Sequence, residues 1–203
     1  MTRRLMLAAL LLLLSGVAGA SQTTLTGAEG HPRSRLPLRL HVASFGDLGL
    51  DEAGARAVDD WNELAREVLG ATAFATIMSP RDAQVVVRVE PPGASGLMGV
   101  TELASDAGVI RLPVRIAIVA PQARGQASRD VVLYQVLAHE LGHALGLPHV
   151  ADPRSLMCCA SGEVNLEDPA TREAYVAARR RPDVRSARTQ LAEHYRRFWT
   201  RAP

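Results

Sequence analysis

The eleven residues His139-Glu140-Leu141-Gly142-His143-Ala144-Leu145-Gly146-Leu147-Pro148-His149 limit the folds open to this chain more than any other stretch. His139 and His143 are four apart, so on a helix both imidazoles leave the same face and can grip one ion. Glu140 follows the first of them and points to one side of that ion. For His149 to join them, the chain must leave the helix abruptly just after Leu145. Gly146 is the residue that tolerates the positive φ of such a stop, and Pro148 keeps the helix from resuming. Three neutral imidazoles leave a fourth coordination position for water, the arrangement of a catalytic rather than a structural zinc site.

The flanking sequence supplies the frame. Leu38, Leu40 and Val42 alternate with Arg39 and His41 as in a half-buried strand, which places His41 on a strand face rather than on a metal. Asp51 is the expected N-cap of a helix running to about Leu69, with Gly70 as its stop and Ala57, Trp61, Leu64 and Val68 as its apolar stripe. Strands are expected at Ala83 to Glu90, Met98 to Leu103 and Val109 to Val119, and Pro113 marks the last as an edge strand or a bulge. Ser128 is expected to cap the central helix, Arg129 to Leu145, whose broad apolar coverage buries it deeply.

The motif resembles the elongated zinc-binding sequence of the metzincin clan, HExxHxxGxxH, position for position. With Asp152-Pro153 and Ser155-Leu156-Met157 behind it, the chain is most similar to the matrixins. That resemblance implies an α+β, zincin-like catalytic domain: a mixed twisted sheet with an active-site helix, covering residues 36–165. It also implies one catalytic Zn²⁺ on His139, His143 and His149, and Met157 in a tight turn as a hydrophobic floor. Protein or peptide is the implied substrate, bound as an added strand at the sheet edge, for which Ile110 to Ile118 is the candidate. The implied chemistry is amide hydrolysis by zinc-activated water with Glu140 as general base. A catalytically silent zinc-binding or interaction module is the alternative, and retention of Glu140 argues against it.

Departures from the family pattern bear on regulation. Val150 stands where matrixins usually carry Ser or Thr, and Cys159 where other metzincins carry a metal-proximal Tyr. No cysteine lies upstream of the motif, so the matrixin cysteine switch has no counterpart. His31, His41 and His194 are too few for a second, structural zinc, and no clear calcium loop is visible. The adjacent Cys158 and Cys159 are free thiols, a vicinal bridge or an intermolecular link.

The ends carry other signals. Thr2-Arg3-Arg4, the apolar run Leu5 to Leu14 and Ala18-Gly19-Ala20 read as a secretory signal peptide over residues 1–20, with an uncleaved anchor as the alternative. Location is then secreted or periplasmic, with no membrane span once the signal is removed. Residues 21–35 read as a flexible leader or short pro-segment. Residues 166–203 read as an Arg-rich helical segment broken near Pro182, with Tyr175, Leu191, Tyr195, Phe198 and Trp199 available for packing. All 23 basic residues are Arg, yet the formal net charge is only +2, which gives no support for nucleic-acid binding.

Overall fold

The computed structural model describes residues 25–91, 97–122, 127–159 and 163–201. The signal-peptide reading falls on residues outside these.

Strand β1 (Leu38–Val42) leads to helix α1 (Leu48–Leu69), then to β2 (Phe74–Thr76), β3 (Val85–Glu90), β4 (Gly99–Glu102), β5 (Ser105–Asp106), β6 (Val109–Ile110) and β7 (Val114–Val119). Helix α2 (Arg129–Ala144), which carries His139 and His143, follows, and then α3 (Pro169–Arg180) and α4 (Arg188–Arg201). The main sheet has the order β2-β1-β3-β7-β4, parallel except for β4, which runs antiparallel to β7. This is the α+β, mixed-sheet architecture expected.

Residues of one parity, Leu38, Leu40, Val85, Val87, Val114, Ile116 and Ile118, are buried, as strand alternation requires. Against them lie α1 and α2. Helix α1 starts one turn earlier than expected: Asp47, not Asp51, caps it by accepting from Leu50 N. The Asp51 carboxylate instead accepts from Ser44 Oγ and Phe45 N, both at 2.7 Å, and pins the preceding loop. Gly70 stops the helix at φ 64°. Trp61, fully buried on the α1 stripe, donates from Nε1 to Ala138 O at 2.8 Å and so ties α1 to α2.

The edge-strand expectation is corrected. The run 109–119 breaks at Leu112-Pro113 into β6 and β7, and β7 lies inside the sheet between β3 and β4. Pro113, lacking an N–H, falls in the break between two ladders. Among the described residues, the sheet edge beside α2 is β4.

The leader reading is corrected for residues 25–35. His31 is fully buried and its Nε2 hydrogen-bonds Ala144 O at 2.9 Å, while Gly30 forms a bridge to Val109. Helix α4 closes over the same region with Leu191, Tyr195 and Phe198 buried. Tyr195 donates to Leu145 O at 3.0 Å, and Trp199 Nε1 donates to His31 O at 3.0 Å. No helix among the described residues is long and apolar enough to cross a membrane.

Candidate metal centre

Helix α2 ends in two backbone bonds that reverse the chain: Gly146 N to His143 O at 2.8 Å, and Leu147 N to Gly142 O at 3.0 Å. This pair defines a Schellman stop, which needs a left-handed residue between its two donors' helix and the exit. Gly146 has φ 88°. It also has no room for a side chain, since a Cβ there would stand 2.4 Å from Glu29 O.

The turn brings His149 back beneath the helix. His139, His143 and His149 form the one group of three or more potential metal ligands among the described residues, with ligand atoms within 4.8 Å of one another. His139 Nδ1 bonds Leu156 O and His143 Nδ1 bonds Leu147 O, each at 2.8 Å. A carbonyl only accepts, so both rings carry their proton on Nδ1 and present a bare lone pair at Nε2. Burial, with a smaller contribution from its neighbour His143, pushes His139 down to about 3, and burial pushes His143 down to about 4 and His149 down as well. All three rings are therefore neutral at neutral pH, the form that binds metal.

The Nε2 atoms converge: His149 stands 3.1 Å from His139 and 3.2 Å from His143. One N–H on His149 can satisfy only one of its two partners, whereas a single cation satisfies all three nitrogens. Tetrahedral coordination with Zn–N near 2.0–2.1 Å sets such nitrogens about 3.3 Å apart. The donor set and its spacing fit zinc.

Met157 is fully buried, with its sulfur against α2 at Gly142, the residue before His143. A Cβ on Gly142 would stand 2.4 Å from its Sδ, so a bare helix position lets the sulfur approach. Val150 N donates to Met157 O at 3.1 Å, tying the His149 loop to the Met157 turn. Cys158 and Cys159 are joined in a vicinal disulfide. Among the alternatives the sequence left open, the structure has the intrachain bridge.

Glu140 is 6% exposed on the side of α2 facing β4. Burial pushes its carboxyl up to about 7, with Thr101 pulling the other way through a 2.7 Å hydrogen bond to Oε2. A cavity of about 620 Å³ opens over this site, and its walls include Leu25, Met98, Tyr175 and Arg179. Arg179 stacks on Tyr175 and donates to Cys158 O at 2.6 Å, which fastens α3 to the floor of the cleft. His31 and His194 lie on the other side of the Gly146 turn, and His41 bonds Ile77 O from β1; none joins the triad.

Sequence reasoning did not find Thr101, Gly99, Gly142 or the contributions of Leu25, Tyr175 and Arg179. Gly142 alone carried a local signal, because glycine inside a helix costs about 1 kcal/mol against alanine and calls for a packing reason.

The family model described as matrixin matches residues 46–169. No curated protein matches the chain.

Proposed function

We propose that this chain, which belongs to the matrixin family, is a zinc-dependent endopeptidase that hydrolyses peptide bonds in the cleft between β4 and α2. The observation that carries the reading is the convergence of three neutral imidazole nitrogens beside a buried, ionisable carboxyl group. His139, His143 and His149 would hold one zinc ion, and Gly146 shapes the turn that delivers the third of them. A bound zinc supplies a Lewis acid for the scissile carbonyl and for the attacking water.

Glu140 acts as general base: its carboxylate takes a proton from the attacking water and then delivers it to the leaving nitrogen. The substrate lies extended along β4, the edge strand of the sheet among the described residues, and pairs with it as one further strand. Met157 supplies the apolar support under the ligand rings. The signal-like residues 1–20 support export to the periplasm or the exterior, where a peptidase meets protein substrates.

The test compares the wild-type chain with Glu140→Ala on casein and on a quenched-fluorescent peptide library. Wild type is expected to cleave in a chelator-sensitive way. The variant is expected to bind zinc stoichiometrically and lose activity by at least about a thousandfold, in keeping with loss of a general base from a concerted site. Full activity in Glu140→Ala sinks the mechanism, and absence of cleavage by zinc-loaded wild type sinks the peptidase assignment.

A further inference from the structure

The register of the sheet puts Thr101 where packing alone calls for an apolar residue. Thr101 pairs with Ile116 of β7, which pairs with Val87 of β3, so the three side chains form one row on the helix-facing side. Ile116 and Val87 are fully buried and Thr101 is 8% exposed. Valine has nearly the same shape as threonine and no hydroxyl to satisfy. The hydroxyl is what sets this position apart.

Its position is specific. Thr101 Oγ1 stands 2.7 Å from Glu140 Oε2 and 3.1 Å from Glu140 O. A hydroxyl has one proton to give, and the shorter contact, to a group that bears charge when ionised, is the stronger bond. Two residues earlier on the same face, Gly99 brings bare backbone up to the same side chain. A Cβ there would lie 2.7 Å from Glu140 Oε1 and 2.8 Å from its Cγ, and 2.7 Å from Val136 Cγ1 one turn back along α2. The Glu140 side chain is thus confined between a hydroxyl on one oxygen and strand backbone beside the other.

We infer that Thr101 is a positioning residue, which holds the Glu140 carboxylate in a single orientation and leaves Oε1 as the oxygen that receives and returns the proton. The inference rests on the peptidase reading above. Threonine makes no contact with substrate in this role; it acts through Glu140. Gly99 serves the same end by letting β4 come close enough for the hydroxyl to reach. The edge strand thereby has two duties on its two sides, pairing with substrate at its outer backbone and fixing the base with its inward side chain.

The experiment uses the full, zinc-loaded chain and a quenched-fluorescent peptide that wild type cleaves. Thr101→Val is expected to lower kcat about 10- to 100-fold with KM within twofold, since loss of orientation at a reacting group has effects of that order. Thr101→Ser, which keeps the hydroxyl, is expected to retain at least half of the wild-type kcat. Wild-type kcat in Thr101→Val overturns the proposal, as does an equal loss in both variants. A second measurement is independent of turnover. Thermal midpoints are compared for wild type, Thr101→Val, Glu140→Ala and the double variant. The effect of Thr101→Val is expected to differ in the Glu140→Ala background, where the hydroxyl keeps only the residue 140 carbonyl as acceptor, and strictly additive losses overturn the contact. Should wild type cleave no peptide, the peptidase reading falls alone, and this cycle still decides whether Thr101 acts on Glu140.

Discussion

The Glu29 carbonyl oxygen and Gly146 Cα are in direct contact: a methyl group added at Gly146 would sit 2.4 Å from that oxygen. The contact joins a segment before the first strand to the turn that delivers His149, the third histidine of the triad. Gly146→Ala therefore meets two penalties, a left-handed φ of 88° and a backbone clash. The expected cost is about 2–4 kcal/mol, together with loss of zinc affinity as His149 swings away. Urea denaturation and zinc titration check both effects. Undiminished zinc affinity in a folded Gly146→Ala protein would contradict the role given to this turn.

Zinc itself is expected to stabilise the fold, because the three Nε2 atoms are brought together only in the native state. At a free zinc concentration one hundred times the dissociation constant, the gain is about 2.7 kcal/mol. Differential scanning calorimetry with and without a chelator reads it as a rise in Tm. His149→Ala should abolish most of the rise while leaving the metal-free Tm close to wild type, since His149 is exposed at the rim. An unchanged zinc response in His149→Ala would remove it from the ligand set.

Acid should destabilise the domain through two histidines outside the triad. Burial pushes both His31 and His194 from the ordinary 6.5 down to about 4. Arg35 and His194 face His31, while Arg197 and Glu29 face His194; the Ala144 carbonyl pulls His31 upward and Glu29 pulls His194 upward. Among the described residues, His31 Nδ1 and His194 Nε2 have no hydrogen-bond partner. Between those values the unfolded chain binds protons that the folded chain refuses. Stability is thus full above pH 6.5 and declines as pH falls towards 4, by at most about 3 kcal/mol per histidine. The pH slope of the urea midpoint should be shallower in His194→Gln than in wild type; equal slopes would refute the assignment.

What could be read from the sequence was what one helix and its exit encode. His139, His143, His149 and Gly146 interact through spacings of three to ten residues, so helix geometry and the αL preference of glycine were enough to gather them. The edge strand was misplaced because Pro113 is compatible with an edge, a bulge or a break, and only pairing with β3 and β4 separates these. Asp47 and Asp51 are one turn apart and both suit an N-cap; the Ser44 and Phe45 donors that occupy Asp51 decide between them. Residues 25–35 look like a leader because their composition is polar and rich in turn formers. Gly30 and His31 are buried against α4, more than 150 residues further along the chain. Thr101 was invisible for the same reason: its meaning lies in a bond to Glu140 across two elements.

Strand β1 lies between β2 and β3 in the sheet, yet it falls before the family segment at residues 46–169. So do Glu29 and His31, and the Tyr195 that bonds Leu145 O comes after it. A transplant of the family segment alone would split the sheet and uncover the back of the metal turn. Each of the lost buried side chains is worth about 1.5–3 kcal/mol of apolar burial. The portable unit of this protein is therefore wider than its recognisable signature. Chimeras should be cut outside residues 29–199, and swapping the motif helix between relatives means carrying over the N-terminal segment and final helix that brace it.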